Sequence, residues 1–222
     1  NVKSVNHRGW NSIAPENTLH AFKLSKLHGF GYVETDVNFT SDDVGVILHD
    51  NTINRTARNA DGTEISDTVR IRDITYEQAL TYDFGIWKSP VYAGTKIPTF
   101  EEFVVLCKNI GLNAYVELKH SDGASQSNIE RLVDIVARCG MLDHITWISF
   151  SSELLGYIRN HNSNAKLGLL CNSISASEIA TATEFGAFID CGLPITEEEV
   201  TLCVNAKIPL EVWTVNLTSE VL

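Results

Sequence analysis

Glu34 and Asp36 stand two residues apart in the run Val33-Glu34-Thr35-Asp36-Val37. Alternate residues of a strand face the same way, so the two carboxylates point together and the three apolar or small neighbours point to the other side. Paired carboxylates repel unless a cation or a shared proton relieves them. A hard divalent cation, Mg²⁺ or Ca²⁺, is the economical explanation. An exposed edge strand with scattered acids is the alternative. Tyr115-Val116-Glu117-Leu118-Lys119 repeats the pattern: Glu117 can complete a three-carboxylate metal site, and Lys119 adds a positive charge suited to a phosphate oxygen. A plain internal Glu–Lys pair would read the same way. Of seven histidines, His7 and His49 fall at the C-terminal ends of β-rich runs, whereas His20, His28, His120, His144 and His161 fall in helical or loop contexts. Two histidines can serve as base and acid near neutral pH. They can also ligate metals, although a carboxylate set already suits a hard ion. Arg8 follows His7 with a fork that fits phosphate, and Gly9 lets the backbone turn closely there.

The elements that must position these groups alternate. Strands are predicted at residues 2–8, 32–39, 44–49, 114–119, 145–150, 166–171, 188–191 and 210–216. Helices are predicted at 17–27, 100–109, 128–139, 152–160, 176–185 and 197–205, with Thr99 and Ser127 as N-caps. The link 40–43 leaves no room for a helix. Eight strands with mostly helical connections imply an α/β fold, a closed parallel TIM (β/α)8 barrel, with a doubly wound sheet as second choice. In such a barrel the strand ends carrying His7 and His49 meet on one face. Residues 51–98 interrupt the alternation with glycines, prolines and one helix near 76–81. They form a small insertion after the third strand, placed to cap a substrate site. The chain 1–222 reads as one domain, in which a closing helix after the eighth strand would be short or missing.

The charge balance is acidic: Lys and Arg number 17 against 28 Asp and Glu, for a net charge of −11. That argues against nucleic acid as a partner and against docking on an anionic membrane. No apolar run is long enough for stable membrane insertion. The five cysteines form no CxxC pair and read as thiols in a reducing compartment, which favours the cytoplasm. The chain begins at Asn1 without a methionine, so an exported form stays open. No P-loop, dinucleotide loop or serine nucleophile elbow is present. Three Asn-x-Thr triplets, at Asn38, Asn54 and Asn216, read as chance.

The ordered set His7-Arg8-Gly9, Pro15-Glu16-Asn17-Thr18, Ala21-Phe22, Glu34-x-Asp36-Val37, Thr40-x-Asp42, His49-Asp50, Arg55-Thr56, Ile97-Pro98-Thr99 with Glu101-Glu102, Glu117-x-Lys119, Ser149-Phe150 and Val212-Trp213-Thr214-Val215-Asn216 resembles the glycerophosphodiester phosphodiesterase family. The resemblance runs from residue 7 to residue 216. It implies a TIM-barrel phosphodiesterase with Glu34, Asp36 and Glu117 on one divalent cation, Mg²⁺ or Ca²⁺, and His7 and His49 as acid and base. It implies that Arg8 and Lys119 contact phosphate and that Phe150 and Trp213 wall the pocket. The substrate would be a small glycerophosphodiester, cleaved to glycerol 3-phosphate and an alcohol. The nucleophile is water or the adjacent glycerol hydroxyl, and the oligomeric state, a homo-oligomer included, stays open. One departure is Asp43, where the family usually has glycine. Phosphoinositide phospholipase C and sphingomyelinase D resemble the same His and metal arrangement. Their lipid substrates would call for a membrane-binding helix or basic patch, and this sequence shows neither. A barrel that binds such ligands without turning them over is the third reading, opposed by the complete set of catalytic groups.

Overall fold

The computed structural model describes residues 3–120 and 124–215. The chain divides into two compact units, Asn1–Ile145 and Thr146–Leu222.

The first unit carries the charged residues singled out above. Strand β1 (Val5–Asn6) leads through a loop to helix α1 (Leu19–Leu27), then to β2 (Tyr32–Phe39) and β3 (Gly45–Ile47). Helix α1 starts two residues later than expected, because Thr18 acts as N-cap and accepts from the Ala21 amide at 3.3 Å. Asn17, expected inside the helix, takes a left-handed φ of 56° instead. Helices α2 (Tyr76–Ala79), α3 (Phe100–Ile110) and α4 (Gln126–Arg138) follow, with β4 (Asn113–Leu118) between the last two. Thr99 caps α3 as expected, in a reciprocal box with Glu102. The cap of α4 is Ser125, not Ser127: its hydroxyl accepts from the Asn128 amide at 3.2 Å, so the helix begins within the residues expected to precede it.

Strands β1 and β4 both pair with β2 in parallel, and the β2–β4 register sets Asp36 beside Glu117. Strand β3 departs from the expected parallel barrel strand. It pairs with β2 antiparallel, Val37 opposite Ile47 and Phe39 opposite Gly45. The short link explains this, since a parallel return needs a crossover and an antiparallel one needs only a turn. Asp43 sits in that turn at φ 60°, a left-handed conformation that Asp tolerates better than most residues. Its carboxylate is held by Arg72 at 2.6 Å and Asn128 at 3.1 Å, so the departure from glycine gains two partners. Residues 51–98 build their own small core on β3: Val46, Leu48, Ile53, Ala57, Ile71, Ala79, Phe84 and Ile97 are all buried. The apolar core beside it includes Phe22 and Phe103, ring centroids 4.7 Å apart, each fully buried. Burying such a ring contributes roughly 2–3 kcal/mol.

In the second unit β5 (Ile145–Ser149), β6 (Lys166–Cys171), β7 (Phe188–Gly192) and β8 (Leu210–Trp213) pair in parallel, each with the next. Helices α5 (Ser152–His161), α6 (Ala176–Phe185) and α7 (Glu197–Ala206) connect them. The strand and helix positions match the expectations to within a few residues. The expected first strand reached back to Val2 and the eighth reached Asn216, and both residues lie outside the described ones. All five cysteines are free and buried. Among the described residues no helix is long and apolar enough to cross a membrane.

Candidate active site

The even residues of β2 form a polar row inside a buried strand: Glu34, Asp36 and Asn38 are 8%, 0% and 0% exposed. Glu117 comes alongside from β4, and carboxylate oxygens of Glu34, Asp36 and Glu117 all lie within 4.8 Å of one another. Lys119 reaches Glu117 at 2.7 Å and Asp36 at 2.9 Å. The Arg8 amide donates to Glu34 at 2.9 Å, and the Arg8 Nε lies 3.5 Å from Asp36. The His7 Nε2 stands 3.9 Å from the same Glu34 oxygen. Burial, then the charges of Asp36 and Glu117, hold Glu34 well above the usual carboxylate range. Burial, then Asp36, push Glu117 up to about 7 against the pull of Lys119. Asp36 goes the other way: burial would raise it, but Lys119 foremost, with Arg8 and Asn17, holds it low.

This electrostatic pattern tests whether a metal fits. Two guanidinium or ammonium charges, from Arg8 and Lys119, face three carboxylates, and burial with mutual repulsion holds two of the three, Glu34 and Glu117, above the usual carboxylate range. Three convergent hard oxygen donors suit Mg²⁺ or Ca²⁺. The residues present therefore fit a divalent cation.

His7 follows β1 directly, where a close turn carries the chain past the site. Arg8 at φ 55° and Gly9 at φ 73° both adopt left-handed conformations. A Cβ at Gly9 would stand 2.8 Å from Ala21, so position 9 requires glycine twice over. Burial and then the Arg8 charge push His7 down to about 4, leaving a neutral ring at pH 7, while its side chain keeps 41% exposure toward solvent.

His49 arrives by a different route from the one expected. Because β3 runs antiparallel, its C-terminal end returns from the C-terminal end of β2 toward the middle of that strand. The Leu48 amide donates to the Asp36 carbonyl at 3.0 Å, which sets His49 next to the carboxylates. Asn38 fixes this return by donating its side-chain N–H to the Leu48 carbonyl at 2.8 Å, with longer contacts to His49 and Asp50. The His49 Nδ1 meets Asp50 at 2.6 Å.

Phe150 and Trp213 belong to the second unit. Their rings meet edge to face at 5.8 Å, and the Trp213 Nε1–H donates to the Asp190 carbonyl at 3.1 Å. Phe150 is 47% exposed.

Sequence reasoning missed five residues of the first unit that hold the site. Asn17 donates to Asp36 at 2.7 Å and accepts from Thr35 at 3.0 Å. Glu16, Asp50 and Arg55 form ion pairs at the edge of the site. These four lie in motifs that carried the resemblance, which was the available signal. Asn38 appeared only in a chance Asn-x-Thr triplet, and its position in the polar row of β2 was the overlooked cue.

Solved structures share this fold. An Oleispira antarctica phosphodiesterase, solved in complex with the product sn-glycerol-3-phosphate, superposes with a TM-score of 0.87 at 22% identity, covering 99% of this chain and 87% of that one. A glycerophosphodiester phosphodiesterase from Agrobacterium tumefaciens gives a TM-score of 0.78 at 22% identity, covering 98% and 89%. The fold class is the α/β TIM barrel. Residues 7–221 match the glycerophosphoryl diester phosphodiesterase family. A glycerophosphodiester phosphodiesterase of Caldanaerobacter subterraneus is 28% identical over 214 residues, covering 96% of this chain and 85% of that one. The human glycerophosphodiester phosphodiesterase 1 is 36% identical over 129 residues, covering 57% of this chain and 37% of its own length. The chain belongs to the glycerophosphoryl diester phosphodiesterase family, a family of hydrolytic enzymes.

Proposed function

We propose that this chain, acting as one domain, hydrolyses small glycerophosphodiesters to glycerol 3-phosphate and an alcohol, with a divalent cation and two histidines. The observation that carries the reading is the convergence of Glu34, Asp36 and Glu117 beside Lys119, Arg8 and His7, in a chain of this family. Glu34, Asp36 and Glu117 would hold Mg²⁺ or Ca²⁺. When bound, such an ion supplies positive charge to a nonbridging phosphate oxygen. Arg8 and Lys119 bind the remaining phosphate charge, one by a planar fork and one as a point charge. His7 and His49 share the proton transfers: one takes the proton of the attacking hydroxyl, and the other gives a proton to the departing alcohol oxygen. A neutral His7 is in the form that accepts a proton at pH 7.

Phosphorus NMR of glycerophosphocholine incubated with the protein tests the reaction. The expected product is glycerol 3-phosphate; phosphocholine would mean that the other ester bond breaks and would overturn the proposal. Calorimetry tests the ligand set: Glu34→Gln is expected to weaken Mg²⁺ or Ca²⁺ binding by at least about tenfold without unfolding the chain. Unchanged affinity would remove Glu34 from the ligands.

A further inference from the structure

Glu16 and Arg55 lie outside the carboxylate cluster, yet both reach it through ion pairs. The Arg55 guanidinium is gripped by two carboxylates. Its Nε and NH2 donate to Asp50 at 2.6 and 3.1 Å, and its NH1 and NH2 donate to Glu16 at 2.9 and 2.8 Å. Glu16 also accepts from the Arg8 NH1 at 2.9 Å. On the far side, Asp50 meets the His49 Nδ1 at 2.6 Å. A continuous chain of contacts thus runs from His49 through Asp50, Arg55 and Glu16 to Arg8. We infer that Glu16 and Arg55 form a positioning clamp that sets His49 and Arg8 relative to each other. Residue 55 of the insertion thereby orients a histidine it does not touch. The inference rests on reading His49 as an acid or base of the proposed hydrolysis.

The chemistry of each contact supports the clamp. Burial would raise Asp50, but the hydrogen bond from Arg55, ahead of that from His49, brings it to about 2. An ionised carboxylate only accepts, so the Nδ1 of His49 must carry the proton and the Nε2 is left free for proton transfer. The second oxygen of Asp50 is taken by Arg55, which fixes the carboxylate plane and with it the imidazole. Arg55 is 45% exposed on its side chain, and half-exposed ion pairs contribute little to folding. A purely structural role would therefore leave little to lose, whereas misplacement of a proton-transfer group is costly to turnover.

Arg55→Lys keeps the charge and removes the fork. With glycerophosphocholine as the probe, kcat is expected to fall by about 10–100-fold while KM moves by less than about threefold and the melting temperature stays within a few degrees. In the His49→Ala background the same substitution is expected to cause no further loss, because its effect passes through His49. Glu16→Gln, which loosens Arg8 as well, is expected to raise KM in addition. Nitrogen-15 NMR reads the clamp without turnover: His49, identified by its absence in His49→Ala, is expected as the Nδ1-protonated tautomer, with the Nε2-protonated form growing in Arg55→Lys. An unchanged kcat in Arg55→Lys, losses that multiply in the His49→Ala background, or an unaltered His49 tautomer would each overturn the inference. A wild-type chain that releases no glycerol 3-phosphate would sink the hydrolase reading instead, and the tautomer measurement would still decide the clamp.

Discussion

His7 and His49 carry the proposed proton transfers from opposite supports. His7 lies against Glu34 and beside Arg8, whereas His49 leans on Asp50. His7→Ala and His49→Ala are each expected to lower turnover by at least about 10²-fold in a steady-state assay, the scale of lost general acid–base catalysis. Near-wild-type turnover in either variant would remove that residue from the reaction. Asp50 makes a prediction about stability. Its folded value of about 2 lies below the ordinary 3.8, so its contribution is present above the unfolded value and is lost as pH falls toward the folded one. Between about pH 4 and pH 2 the urea midpoint of the wild type is therefore expected to fall more steeply than that of Asp50→Asn, by a margin that solvent screening of the half-exposed pair with Arg55 keeps small. Parallel slopes would contradict the assigned ion pairs.

At the scale of elements, the site depends on two turns. The first places Arg8 and Gly9 in left-handed conformations so that the chain passes within contact of Ala21. Gly9→Ala meets both the conformational cost and the clash, and is expected to destabilise the fold by at least about 1–3 kcal/mol in urea denaturation. An unchanged midpoint would contradict the close approach. By comparison, Thr99→Ala removes one cap of α3 and is expected to cost about 1 kcal/mol. The second turn brings β3 back antiparallel, and it explains what sequence could and could not show. The alternation of Glu34 and Asp36 was legible because a strand has a period of two. Glu117 was legible for the same reason, and the strand–helix alternation gave the fold class. The direction of β3 was hidden, since a run of apolar residues looks alike in either direction, although the length of the link held the clue. His49 thus comes beside β2 by an antiparallel return and not by the parallel strand end that the sequence suggested. The ties of residues 51–98 to the first loop, Arg55 to Glu16 and Lys88 to the Asn11 carbonyl at 2.7 Å, were not legible, because they join side chains distant in sequence.

At the scale of the whole molecule, a net charge of −11 coexists with Arg8 and Lys119 gathered beside three carboxylates. A local group of cations can receive one phosphate even where the net charge is negative. The same acidic cluster burdens the protein when no cation offsets it, so Mg²⁺ or Ca²⁺ at saturating concentration is expected to raise the melting temperature by several degrees, and EDTA to reverse it. The most direct measurement is the release of glycerol 3-phosphate from glycerophosphocholine and glycerophosphoethanolamine by EDTA-treated protein, before and after Mg²⁺ or Ca²⁺ is added. The expected result is no release in EDTA and release restored by at least one of the two ions. Equal release with and without a divalent cation would contradict the metal site, and no release from folded protein with either ion would contradict the proposed substrate.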